Sequence, residues 1–220
     1  AILDPLVKGQ SSDLQLEKFL NRVDVSLAQT YLVSQRAQDA VVLLQDTLPR
    51  TERGVNRDPD DLDQQLTWFR ARSALALQQF QNPLDQAGLI RLQKGFKELR
   101  ELGEQLSKKD PANHVLTAEL AGVEMAQAAV DYQLGNLGEA PADRFSEGVE
   151  AQKSALQRLE GLVKADPTNK EWSQALQQGR QLLEVLQMRQ TGATAPHLPG
   201  LADPEYLAVV RQETGKARDK

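Results

Sequence analysis

Apolar residues recur along this chain at steps of three and four, the spacing that gathers side chains on one face of an α-helix. Leu16, Phe19, Val23, Leu27 and Tyr31 form the first such stripe, and Ser12 with Gln15 ahead of it has the form of a capping box, which satisfies orphan amides at a helix start. Ala37, Val41, Leu44 and Leu48 form a second stripe, which Pro49 and the polar run 50–57, with Gly54 inside it, are expected to end. A third runs Leu62, Leu66, Phe69, Ser73, Ala76, Phe80 and breaks at Asn82-Pro83. A fourth follows with Leu89, Leu92, Phe96, Leu99, Leu102 and Leu106. The fifth carries Leu116, Leu120, Val123 and Val130, and the sixth Phe145, Val149, Leu156, Leu159 and Val163, with a polar, glycine-bearing turn over 135–143 between them. The last strong stripe is Trp172, Leu176, Gly179, Leu183 and Leu186. Residues 191–204 read as a linker, ahead of a short amphipathic stretch at Tyr206, Leu207 and Val210 and a polar tail.

A second rhythm overlies the first. Asp-Pro falls at residues 4, 58, 110 and 166, steps of 54, 52 and 56, and two helical stripes lie between each pair. Proline cannot continue a helix but suits the first turn of the next one, and an aspartate before it can accept the exposed amides there. The pattern predicts an all-α protein built as an array of antiparallel helical hairpins over residues 1–190, with 191–220 as linker and C-terminal segment. Such units cannot bury their own apolar faces and must stack on neighbours. A closed helical bundle is the alternative.

Composition narrows the function classes. Lys+Arg 26 against Asp+Glu 31 leaves a net charge of −5, the wrong sign for a surface that neutralises phosphates, so no nucleic-acid partner is expected. Aromatics at 5% offer few platforms for stacking bases or sugars. With Cys 0, disulfides, thiol nucleophiles and cysteinyl metal sites are excluded, and reducing and oxidising compartments suit the chain equally. No apolar run reaches the roughly 18–20 residues that cross a bilayer, and Ala1-Ile2-Leu3-Asp4 lacks the leader of a signal segment. The expectation is a soluble domain without direct membrane insertion, cytoplasmic or at the bacterial cell envelope.

Leu27-Ala28-x2-Tyr31 followed by Ala40, Leu44 and Thr47 resembles the tetratricopeptide pattern of large, small, aromatic, then small and bulky positions. Ala155, Leu159, Leu162 and Pro167 are similar to the second half of that pattern, and the run from Asp166 to Trp172 resembles its inter-repeat junction. The resemblance implies that Ala28, Tyr31, Ala40, Ala155 and Pro167 serve hairpin packing. It also implies that Arg22, Val25, Ser26, Gln29 and Val33 line a groove for a partner protein segment. The family's clamp for a terminal carboxylate uses Lys and Asn where this chain has Val25 and Gln29, so apolar contact and side-chain amides are expected to do the holding. The repeat departs from the family in length, 52 to 56 residues against about 34, and Glu52 stands where a closing proline would fall.

Candidate chemistry is sparse. His114 and His197 have no paired spacing for zinc and no nucleophile motif beside them. Asp58, Asp60, Asp61 and Asp63 fail the calcium-loop pattern, which would need glycine at 63 and glutamate at 69 where the chain has Asp and Phe. Capping is the expected use of these carboxylates. Gly135 and Gly138 mark a turn, since the lysine of a phosphate loop is missing. Lys108-Lys109 and the tail residues Lys216, Arg218 and Lys220 read as helix-end and solvated charges, and Trp68 and Trp172 as core. The function expected is a non-catalytic interaction module, an adaptor or scaffold with no cofactor and no metal that binds a protein or peptide partner. The alternatives are a self-associating structural domain forming a homo-oligomer, and an accessory or sensor domain of a larger bacterial regulator or envelope protein.

Overall fold

A computed structural model of the chain describes residues 14–82, 84–137 and 142–191, and of 142–144 the backbone alone. Over these residues the protein is all-α, with seven helices and no strand: α1 (Leu14–Val33), α2 (Ala37–Arg57), α3 (Leu62–Phe80), α4 (Gln86–Lys109), α5 (His114–Asn136), α6 (Ala142–Ala165) and α7 (Lys170–Gln190). None of them is long and apolar enough to cross a membrane. The expectations placed on Asp4, Ser12, Gly138, His197, the linker, the stretch at Tyr206 and the basic tail lie outside the described residues.

Three of the Asp-Pro sites share one turn, and its chemistry differs from the expected one. The aspartate closes the preceding helix: the N–H groups of Asp58, Asp110 and Asp166 donate to Gly54, Leu106 and Leu162 carbonyls at 3.1, 3.0 and 2.9 Å. Its carbonyl then accepts from the residue three further on, Asp61, Asn113 or Asn169. That third residue is the true N-cap. Asp61 accepts the Gln64 amide, Asn113 the Leu116 amide, and Asn169 the amides of Glu171 and Trp172. Proline therefore sits at the second position of a turn, where its fixed φ is favoured, and not in the first turn of the new helix. Pro167 is exposed there, in the turn between two helices, where the resemblance implied a place in hairpin packing.

Helix α2 runs through Pro49 instead of stopping there. A proline inside a helix frees the carbonyl four residues back. Here that residue is Gln45, and both Pro49 and Gln45 lie on the exposed side where water can serve the freed group. The polar run beyond it is held in helix because Thr51 and Gly54 are buried and Arg50 forms an ion pair with Asp24. Similarly, α5 continues through Gly135 to Asn136, so its connection to α6 is shorter than 135–143.

The chain divides into two compact units whose boundary falls between Leu75 and Ala76, inside α3. In the first, Val25, Ala28, Ala40, Leu44, Ala71 and Ala74 form a buried cluster flanked by Tyr31, Leu32, Leu43, Leu48 and Leu75. The alanines let helix backbones approach closely, while each large aliphatic contributes about 1.5–3 kcal/mol on leaving water. Between α1 and α2, Gln35 takes a positive φ of 59°, and the Arg36 guanidinium lies over the Tyr31 ring at 4.3 Å.

The second unit is organised around α5, which packs on α4 and α6 and more lightly on α7. The predicted stripe Leu116, Leu120, Val123 and Val130 is fully buried. So are most of its other faces, because Ala118, Ala121, Gly122, Ala126, Ala128 and Ala129 present no bulk to the neighbouring helices. Ala155 on α6 is also fully buried, and Phe80 meets Phe96 edge-on at 6.5 Å between ring centres. At Gly179 on α7 there is no room for a methyl group: a Cβ would lie 2.8 Å from both Gln152 Nε2 and Leu156 Cδ2. The Gln152 amide cannot retreat freely, since it donates to the Gly179 carbonyl at 2.9 Å.

Two outcomes follow for stability. Gly179→Ala is expected to lower unfolding free energy by about 1–3 kcal/mol through overpacking. Asn169→Ala removes the acceptor for two amides and is expected to cost about 1 kcal/mol. Urea denaturation followed by circular dichroism checks both, and an unchanged midpoint for either variant would contradict the packing or the cap described.

Candidate functional site

The first unit carries the candidate site, and the roll of α1 defines it. The expected inward stripe is largely outside: Phe19, Val23 and Leu27 are 49%, 37% and 37% exposed. The buried face instead holds Leu20, Asn21, Asp24, Val25 and Ala28. The cause lies on α2. Arg50 Nη2 donates to Asp24 Oδ2 at 2.6 Å and to Thr47 Oγ1 at 3.1 Å, and the aspartate is only 2% exposed. Burying one of these charges without the other would be strongly unfavourable, so the pair turns the Asp24 side of α1 inward. Phe19, Val23 and Leu27, four residues apart, then form an apolar row along the outer side.

The residues singled out for partner binding divide accordingly. Arg22 is exposed, while Ser26, Gln29 and Val33 are half-buried and border the apolar row. Val25 belongs to the buried cluster with Ala28 and Ala40. It is thus a core residue and not a groove residue, because the inward turn of Asp24 carries its neighbour with it. Thr30, on the same outer side, was missed; its hydroxyl donates to the Ser26 carbonyl at 3.0 Å. Tyr31 is half-buried at the end of the cluster.

Beside this face lies a polar cleft of about 250 Å³, between α1, the end of α2 and the start of α3. Gln15, Lys18, Asn21 and Arg22 form its α1 wall, Thr51 comes from α2, and Asp61, Asp63, Gln64 and Thr67 close it. Lys18 forms a hydrogen-bonded ion pair with Asp61, and Arg57 reaches Glu17 at 3.4 Å. Burial alone would push the Asp61 carboxyl up, but the bonds from Lys18 and Gln64 bring it below the usual carboxylate range. Lys18 is raised in turn, chiefly by its hydrogen bond to Asp61. Within the four-aspartate cluster, Asp61 is thus spent on capping and pairing. Asp63 is largely exposed, 3.8 Å from Arg22.

Charge is also buried in the second unit. Glu124, 0% exposed on α5, accepts from Ser154 at 2.7 Å and from Arg158 at 3.1 Å, with Arg100 at 3.6 Å. Burial pushes its carboxyl above the usual glutamate range, against the pull of Ser154 and the two arginines. A second bond between α4 and α5 runs from the Gln93 side-chain amide, which donates to Asp131. Both arginines reach partly to solvent, so this reads as a structural clasp joining α4, α5 and α6.

Among the described residues no group of histidines and carboxylates is placed to hold a metal ion. His114 is exposed at the start of α5, its ring edge-on to Trp172 at 6.3 Å. Both tryptophans are half-buried instead of fully buried, Trp68 with the Arg72 guanidinium 5.4 Å from its ring centre. The chain matches no family model, no curated protein and no solved structure.

The Glu124 clasp has a defined pH signature. With its carboxyl raised in the folded protein, the folded state binds this proton more tightly than the unfolded one. Its contribution is therefore complete below the ordinary glutamate range and is lost as pH climbs through the raised value. Arg158→Ala strands a buried carboxylate and is expected to cost about 3 kcal/mol at pH above the raised value, with a smaller loss below the ordinary glutamate range as the carboxyl takes up its proton. Glu124→Gln is expected to flatten the pH dependence of Tm between those limits. Thermal melts across the range check both; a pH-independent loss in Arg158→Ala would show that the arginine acts through packing alone.

Proposed function

We propose that this chain is a non-catalytic interaction module, an adaptor or scaffold that binds an amphipathic helical segment of a partner protein along the outer side of α1. The carrying observation is the row Phe19, Val23 and Leu27: of the seven large apolar side chains exposed among the described residues, four lie on α1, and three of those are aligned. Scattered exposed apolar residues are ordinary, whereas an aligned set with polar neighbours has the form of a helix-docking surface. Arg22, Ser26, Gln29 and Thr30 supply that polar border, with charge and hydroxyl or amide groups to orient the incoming helix.

A tetratricopeptide-like array of helical hairpins is part of the same reading. It is supported by the small residues Ala28, Ala40 and Ala155 in buried positions and by the recurrence of one Asp-Pro-x-Asx turn at three junctions. The positions that would carry such a family's carboxylate clamp are Val25, which is buried, and Gln29. A helix held by apolar contact therefore fits better than an extended acidic tail.

Capture of a protein by the tagged chain, followed by cross-linking, is expected to place the partner on α1. Phe19→Asp and Leu27→Asp are each expected to weaken that capture tenfold or more, an effect of about 1.4 kcal/mol. Val42→Asp, an exposed apolar position on α2, is expected to leave capture unchanged. A concentration-dependent dimer in sedimentation that Phe19→Asp abolishes would make the partner a second copy of this chain. Retention of every bound protein by both α1 variants would overturn the assignment.

A further inference from the structure

The outer row of α1 has an occupant to hand in the chain itself. Ahead of Leu14, within the same compact unit, the sequence runs Leu3-Asp4-Pro5-Leu6-Val7-Lys8-Gly9. Its Asp-Pro differs from the other three. At those, an Asp or Asn three places on caps the next helix, whereas the residue three places on from Asp4 is Val7, which has no side-chain acceptor. The turn and cap of the other junctions are therefore closed to this one. Pro5 also fixes its own φ and steers Asp4 away from the α region, so the local sequence favours an extended path.

An extended path matches the row in spacing. Alternate residues of an extended chain face one side and recur about every 6.6 Å, while every fourth residue of a helix recurs about every 6 Å. Leu3, Pro5 and Val7 thus span about 13 Å, against about 12 Å from Phe19 to Leu27. The tether sets the direction. With the reversal at Gly9, a residue suited to one, the segment runs antiparallel to α1, and Val7 falls at Phe19, Pro5 at Val23 and Leu3 at Leu27. Residues 8–13 join Val7 to Leu14, and Phe19 is only about 7.5 Å along the helix axis from Leu14, so the path closes.

Charge selects the register. The other alternating set, Ile2, Asp4 and Leu6, would lay a carboxylate on apolar side chains, whereas with Leu3, Pro5 and Val7 inward Asp4 stays at the edge. There it lies within a helical turn of Arg22, whose bridge to Asp63 is long at 3.8 Å. A strand this short buries too little to be held from a separate molecule, but the tether gives it an effective concentration of about a millimolar or more and removes the cost of bringing two molecules together.

We infer that residues 3–7 form a strap over Phe19, Val23 and Leu27, which a partner helix must displace. The displacement rests on the row being a docking surface, and it makes that surface self-guarded.

Because the chain contains no cysteine, Thr30→Cys, at an exposed position just beyond Leu27, puts a single nitroxide at the far end of the row in the full protein. The amide resonances of the strap are expected to broaden in a gradient, most at Leu3 and least at Lys8, although Lys8 is nearer to α1 in sequence. Leu3→Asp combined with Val7→Asp is expected to abolish the gradient with helical circular dichroism unchanged, and Phe19→Asp to abolish it from the other side. A synthetic peptide of residues 1–9 serves as the displacing probe. It is expected to shift the Val23 and Leu27 resonances of the strap variant at millimolar concentration and to need about fivefold more in the parent, whose row is closed in about four molecules of five. Absent or uniform broadening would overturn the strap, as would a gradient that survives the Leu3 and Val7 substitutions or equal titration of both chains. Broadening passed from a spin-labelled chain to a separate isotope-labelled one would also overturn it, by placing the contact between molecules. A lost gradient with Phe19→Asp still weakening partner capture removes the strap alone. An intact gradient with capture indifferent to Phe19→Asp removes the docking surface and the displacement, and leaves the contact.

Discussion

A buried carboxylate must find a cation, and Asp24 finds Arg50. That pairing sets the roll of α1, and most of what distinguishes the first unit descends from it. With Asp24 inward, Val25 and Ala28 join the core, Asn21 enters the cleft wall, and the helix's most apolar row is left facing outward. Local hydrophobicity would have chosen the opposite roll. A contact spanning 26 positions in sequence outweighs it, since the two sides of α1 differ by a few half-buried aliphatics whereas an unpaired interior charge costs several kcal/mol. The outward face is thus a consequence of how the interior is satisfied.

The same contrast explains how much could be read from the residues alone. Helix number, order and most limits were legible, because periodicity and breakers are local: α3 ends at Phe80 just ahead of Asn82-Pro83, and the α4 stripe from Leu89 to Leu106 is inward nearly throughout. Pro49 misled because a breaker on a solvated side is tolerated when the positions beyond it are anchored by tertiary contacts. The Asp-Pro rhythm was visible, but its division of labour was not. The signal was there in the Asx residue three places on, at 61, 113 and 169, a stronger N-cap candidate than the aspartate before the proline.

The candidate site was legible only in part. Arg22, Ser26, Gln29 and Val33 could be placed on α1 by pattern, and they do border the apolar row, while Val25 could not be sorted from them without knowing the roll. Asn21, Thr51 and Thr67 carried no signal, since an isolated Asn or Thr in a helix has many bland uses. The Glu124 clasp was equally silent: its partners Ser154 and Arg158 lie 30 and 34 positions away, and each residue alone reads as a solvent-facing side chain of an amphipathic helix.

Helix α5 has almost no side turned to water, with neighbours on α4, α6 and α7 and small residues along its length. A segment enclosed in this way has few neutral substitutions open to it, because a larger side chain collides and a smaller one leaves a void. Over generations its residues should drift far more slowly than the outer side of α2, where Gln45 and Pro49 are exposed. The oldest surviving text in this protein should therefore be sought between His114 and Asn136.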